Sequence, residues 1–281
     1  MRTIPALLAP TLALALAPTV AAAKPKVAAA GKAARACGVN VVPLTEGNSW
    51  SYSFVAAPQA ATPEIARISP PAAKSFVITV KSVETKGAET VVTLEEKVTY
   101  ELNALPGQKK GGLDERVINS TITCSGKKVD ISPDSFFFAG EPGGFGGMTL
   151  DKLERKGTSW QLTGGNFGDS EWPEDLVIQW TQTPAKGLDT QYGSGKIEME
   201  RRITPLEPEQ LNTKAGSYRA EKIAVKTTGR VTLNKPLSAD LKPAEMPADW
   251  INQLWFVPGT GVVQSLNRYA HMYQLVESTV K

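Results

Sequence analysis

"VPLTEGNSWSYSF", residues 42–54, decides the fold class. Glu46-Gly47-Asn48 is turn chemistry, because Gly and Asn tolerate positive φ. Trp50, Tyr52 and Phe54 then alternate on one face of the strand that must follow. A bulky aromatic directly after a tight turn is placed to plug the end of a sheet or barrel. Gly47 and Trp50 therefore read as a structural corner. "ERKGTSWQL" (154–162) repeats the arrangement with Gly157 and Trp160. "LWFVPGTGVVQ" (254–264) sets Trp255 before Pro258, Gly259 and Gly261, which reads as strand, turn and strand.

The same period of two extends outward from that stretch. "SFVITVKSV" places Phe76, Ile78 and Val80 on one face; "VVTLEEKVTYEL" does so with Val92, Leu94, Val98, Tyr100 and Leu102. "VINSTITC", "KIEMERRI" and "AEKIAVKTTGRVTL" continue the pattern through Ile122, Met199 and Val225. Short runs rich in Val, Ile and Thr, separated by Gly, Pro, Asn and Lys, predict antiparallel strands with one dry and one wet face. The predicted fold is all-β or β-dominated. One or two helical turns are expected in "PAEMPADWINQLW" (243–255), starting at Pro247. The Gly-rich "FFFAGEPGGFGGM" (136–148) reads as a mobile loop. An internal boundary near 139–147 would separate two related halves, each with its own corner; one continuous sheet is equally compatible.

The N-terminus fixes the expected compartment. Arg2, an apolar run and Ala21-Ala22-Ala23 have the order of a secretory signal peptide, with cleavage after Ala23. Pro5, Pro10 and Pro18 interrupt that run, so it makes a poor transmembrane helix. Residues 24–36, "KPKVAAAGKAARA", form a low-complexity basic tether, leaving residues 37–281 as the β domain. The overall charge of +3 comes from this leader. Residues 1–36 carry five basic and no acidic residues, against 26 basic and 28 acidic beyond them. Nothing in that body asks for nucleic acid. The expected location is the periplasm or exterior, with no transmembrane segment in the mature chain. Two cysteines in an oxidising compartment, Cys37 and Cys124, favour one disulfide.

"VPLTEGNSWSYSF" near the start, with "GSYRAEKIAV" and "LWFVPGTGVVQ" near the end, resembles a pattern of uncharacterised bacterial envelope proteins. Those proteins are similar to the incomplete β-barrels of the LolA, LolB and LppX lipoprotein carriers. The resemblance implies a strongly curved antiparallel sheet with an apolar concave face. It covers both ends of the mature chain and leaves the middle unmatched. Its motifs specify shape and bring no catalytic positions with them.

Catalytic motifs are scarce. His271 is the only histidine, on a face with Tyr269 and Tyr273, and a Ser–His site would have to use it. No serine lies in a GxSxG elbow; Tyr192-Gly193-Ser194-Gly195 is the nearest. One histidine and no CxxC exclude an ordinary zinc site. Asn166, Asp169, Glu171, Glu174 and Asp175 in "NFGDSEWPED" read as a solvated acidic turn, because their spacing departs from an EF-hand. Carboxylate pairs for a glycan hydrolase are too many to separate: Glu95 and Glu96, Glu198 and Glu200, Asp169 and Glu171. Glu96 stands out because it shares the apolar face of Leu94 and Val98, and Arg201 is its partner by type on the Ile197–Met199 face. No cofactor is expected. Three functional expectations compete. In the first, the concave face binds a lipid-like ligand or an envelope protein; in the second, a structural or interaction module fills that face with its own side chains. The third is a glycan hydrolase with two carboxylates facing each other across a groove.

Overall fold

The alternating runs become strands of a single antiparallel sheet. The computed structural model describes residues 42–63, 69, 71–101, 112–125, 128–142, 148–157, 160–163, 166–167, 171–182, 194–234 and 245–281. Its elements are β1 (Ser49–Ala56), β2 (Ala73–Lys86), β3 (Glu89–Glu101), β4 (Leu113–Ser125), β5 (Lys128–Ile131) and α1 (Phe136–Ala139). There follow β6 (Met148–Gly157), β7 (Trp160–Thr163), β8 (Asn166–Phe167), β9 (Trp172–Gln182) and β10 (Ser194–Thr213). The last are β11 (Gly216–Leu233), β12 (Glu245–Val257), β13 (Gly261–Leu266) and β14 (His271–Thr279).

The sheet order is β6-β9-β10-β11-β12-β13-β14-β1-β2-β3-β4-β5-β7-β8. Two meanders are thus joined where the last strand pairs with the first, Phe54 opposite Tyr273. Strands from both sides of the Gly-rich segment belong to this sheet. It is not closed, since β6 and β8 are its two ends. It is nonetheless strongly rolled. Eleven strand spacings separate β6 from β5 in the order, about 50 Å if the sheet were flat. Yet Arg155 Nη2 on β6 donates to the Ile131 carbonyl on β5 at 2.6 Å.

The core lies inside the roll. Trp50, Tyr52, Phe76, Ile78, Leu94, Ile122, Ile178, Ile203, Ile223 and Leu275 are buried from successive strands. Phe54, on the face of Trp50 and Tyr52, is 41% exposed, so the dry stripe of β1 ends at Tyr52.

Two local expectations are corrected. Residues 245–257 form strand β12 and not a helix. Ala248, Asn252 and Leu254 alternate into the core there, and ladder pairing overrides the helix-start signal. Pro247 is tolerated because β12 has a ladder neighbour only in β11 until Gln253, where β13 joins. The start of the Gly-rich stretch is not a mobile loop: Phe136–Ala139 is helix α1, with all three phenylalanines buried. Residues 143–147 lie outside the described residues.

Candidate functional site: the occupied concave face

Sequence explains α1 once its ends are seen. Ser135 is the N-cap, its side chain accepting from the Phe137 N–H at 3.3 Å. Gly140 ends the helix at φ +69° and donates its N–H to the Phe136 carbonyl at 2.7 Å. A Cβ at Gly140 would lie 2.9 Å from Leu254 Cδ2 and 3.0 Å from Ser265 Cβ, so the helix end fits tightly against β12 and β13.

The helix occupies the concave face. The Phe136 ring lies 4.9 Å from the rings of both Tyr52 and Phe76, and Phe137 packs edge-on against Trp50 at 5.9 Å. Such aromatic pairs contribute about 0.5–1.5 kcal/mol each beyond their area burial. The Arg201 guanidinium lies over the Phe138 ring at 3.7 Å.

Both polar residues singled out on this face reach the same helix. Glu96, fully buried on β3, accepts from the Phe136 N–H at 2.6 Å through Oε1. Arg201, buried on β10, donates to the Phe138 carbonyl through Nη2. The ion-pair partner of Arg201 is Glu174, at 3.0 Å, in place of the Glu96 that the face pattern suggested. Glu174 also takes Arg155 Nε at 2.9 Å, so one buried carboxylate sits between two guanidiniums. Burial pulls Arg201 down to about 10, with Glu174 opposing and Arg155 adding to the fall. A cavity of about 20 Å³ lies among Phe138, Met199, Arg201, Trp250, Asn252 and Arg268.

The two corner motifs meet in space. Gly47 turns at φ +83° and leads to Trp50, whose Nε1 donates to the Thr260 carbonyl in the Pro258–Gly259–Thr260 turn. Gly259 and Gly261 take φ +78° and +103°, and a Cβ at Gly261 would sit 3.1 Å from that Nε1. Tyr52 continues the link, its hydroxyl donating to the Val262 carbonyl at 2.8 Å. Trp255 is buried; its Nε1 donates to Glu209 at 2.9 Å, and Lys222 lies over its ring at 4.6 Å. Pro258 is exposed.

The remaining candidates scatter. Glu95 is paired with Lys81 and Lys97, Glu198 with Lys196 and Arg230, and Glu200 with Arg202, all by ion pairs at the surface. Asp169 lies outside the described residues. Glu171 and Asp175 are exposed while Glu174 points inward, so the acidic turn divides between two faces of β9. Among the described residues no three His, Cys, Asp or Glu side chains group as metal ligands. Cys124 is buried on β4, and Cys37 lies outside the described residues. His271 is bonded to Ser69, with 3.0 Å between Oγ and Nε2. Sequence reading missed α1 and assigned Glu174 to a solvated turn where it is buried, although both left signals. Ser135 and Gly140 bracket the three phenylalanines, and Glu174 stands between Trp172 and Leu176 in the alternation.

No known family model and no curated protein matches the chain. Two solved structures are similar to it. One is a protein of Bacteroides fragilis, provisionally called exported and given a YmcC-like fold: 12% identity, TM-score 0.43, covering 85% of this chain and 98% of that one. The other is a provisionally called lipoprotein of Parabacteroides distasonis: 14% identity, TM-score 0.44, covering 85% and 97%.

Proposed function

We propose that this chain is an exported envelope protein, a rolled β-scaffold whose concave face is filled by its own residues and which acts as a structural or protein-interaction module. The observation that carries this reading is the seating of Phe136 and Phe137 against Trp50, Tyr52 and Phe76, and of Phe138 under the Arg201 guanidinium, with each ring buried. The cavity beside Phe138 and Arg201, about 20 Å³, is the size of one water molecule, far below the volume of a lipid chain. The competing reading, a lipid-like ligand in the concave face, requires α1 to leave first. Native mass spectrometry of the mature protein from its own envelope, followed by organic extraction, separates the two. Bare polypeptide mass is the expected result. A retained mass of several hundred daltons that extracts as lipid overturns the self-filled reading. The same spectrum tests the leader: a mature chain beginning at Lys24 is expected, and an intact Met1 argues against export.

The Cys37–Cys124 bridge belongs to the same reading. It would close a long loop and add about 2–4 kcal/mol. Thiol alkylation without reductant should leave both cysteines unmodified; two alkylated thiols would remove the bridge from the account.

A further inference from the structure

At the rim of the concave face the chain brings together two residues that lie 202 positions apart, Ser69 and His271. His271 opens β14 and shares the parity of buried Tyr273, but it is only half-buried. Its backbone is held on both sides. Asn267 Oδ1 accepts from the N–H groups of Tyr269 and His271, each at 3.0 Å, and the Asn267 N–H donates to the His271 carbonyl at 3.0 Å. Ala270, immediately before the histidine, has φ +60°, the one non-glycine residue at positive φ among the described residues. Strained backbone of this kind costs about 1–3 kcal/mol, persists only where the surroundings impose it, and clusters at active sites. Phe54 lies beside the pair, its ring edge-on to the imidazole at 6.1 Å and open to solvent.

We propose that Ser69 is a nucleophile activated by His271, and that this dyad carries out acyl transfer on small esters whose apolar group rests on Phe54. It goes beyond the scaffold reading, because the dyad lies at the rim and leaves the filled interior untouched. With the imidazole proton on Nδ1, the Ser69 hydroxyl donates to Nε2. Oγ attacks the ester carbonyl carbon while its proton passes to Nε2. The imidazolium returns that proton to the leaving alkoxide as the C–O bond breaks, giving an acyl-serine and a free alcohol. A water molecule deprotonated by Nε2 then attacks the acyl-serine, releasing the carboxylic acid and restoring the hydroxyl. Burial lowers the basicity of His271, so the imidazole is neutral and able to accept a proton at neutral pH.

A fluorophosphonate probe tests the dyad in the folded mature chain. Attack by Ser69 Oγ on phosphorus expels fluoride and leaves a stable phosphonyl-serine. One adduct is expected, mapped to Ser69 by peptide mass and lost in Ser69→Ala. His271 is the sole histidine, so diethyl pyrocarbonate can block it without a substitution. Blocking should slow labelling at least about 100-fold, the lower bound for general-base assistance, and hydroxylamine should restore it. His271→Gln should behave like the blocked protein, with unchanged circular dichroism. Absence of an adduct at Ser69, or labelling as fast in blocked protein as in free, overturns the proposal.

Discussion

Glu96 and Arg201 hold one short helix at two points. The carboxylate accepts the N–H of Phe136 where α1 begins, and the guanidinium donates to the carbonyl of Phe138 near its end. Each presents the polarity that the adjoining helix end favours, an acceptor oxygen toward the amides and a guanidinium toward the carbonyls. Four residues of helix would not persist alone in water. The cap, the two charged side chains and the aromatic seat keep α1 in place.

Removing the Glu96 carboxylate should therefore loosen the helix from its first residue. Glu96→Ala leaves the Phe136 N–H buried without that acceptor, a loss of about 1–3 kcal/mol. Glu96→Gln keeps an oxygen there and should lose less. Guanidinium unfolding gives both values, and near-UV circular dichroism should weaken in the alanine variant as the aromatic contacts relax. Equal stability in wild type and Glu96→Ala would show that the bond contributes nothing.

Glu174 should be the least replaceable carboxylate. It is buried and faces both Arg155 and Arg201, with Arg155 also reaching across to β5. Glu174→Gln leaves Arg201 without its carboxylate and Arg155 with only Asp130, at 3.4 Å, which should cost about 3–5 kcal/mol. Glu171, three residues earlier, is exposed and pairs with Arg202 at 3.2 Å; Glu171→Gln should cost no more than about 1 kcal/mol. Comparable losses at the two sites in denaturant titrations would contradict this placement.

How far the sequence revealed this arrangement depended on period. Alternation around Trp50, Ile78, Leu94 and Met199 identified the strands and the inward face, because side chains on a strand repeat every two residues. It also marked Glu96 and Arg201 as inward, and both are buried. It could not pair them, since β3 and β10 are seven strands apart in the order and only the roll brings them to a common helix. The four residues of α1 span little more than one turn, too short for a period of 3.6 to register. The convergence of Gly47–Trp50 with Pro258–Gly261 was hidden for the same reason: the contact spans 210 positions and follows from the pairing of β1 with β14.

The end of α1 should also make stability depend on pH. Burial raises the Glu141 carboxyl to about 7, with Arg268 acting in the opposite direction. Tyr100, Tyr269 and Tyr273 lie close enough for its charge to raise their pKa values in turn. A carboxyl raised in the folded state holds its proton longer than the unfolded chain does. Stability from this group is therefore highest below the ordinary value of 4.5 and falls as pH rises toward about 7. Exposed Glu198 and Glu209 are shifted downward and act in the opposite sense, so total stability conceals the effect. The difference between wild type and Glu141→Gln isolates it. The variant should gain on wild type between pH 4.5 and about 7 and stay ahead above that range; a difference that does not change with pH would exclude a raised Glu141.

Gly259 and Gly261 should respond differently to the same small change. Both have positive φ, so alanine is strained at either position. At Gly259 nothing lies within 4 Å of an added Cβ, and Gly259→Ala should lose only that backbone strain, about 1 kcal/mol. At Gly261 the Cβ would meet Trp50 Nε1 at 3.1 Å, with Val42 Cγ1 at 3.7 Å. Trp50 is fully buried and packs against Phe137, so its indole can retreat only by disturbing the aromatic seat of α1. The bond to the Thr260 carbonyl would lengthen as well. Gly261→Ala should therefore lose about 2–4 kcal/mol, the sum of strain and a displaced core tryptophan. Thermal denaturation of the two variants in parallel is the direct check. Equal losses would mean that Trp50 does not depend on the missing side chain at Gly261, and the meeting of the two corners would lose its structural basis.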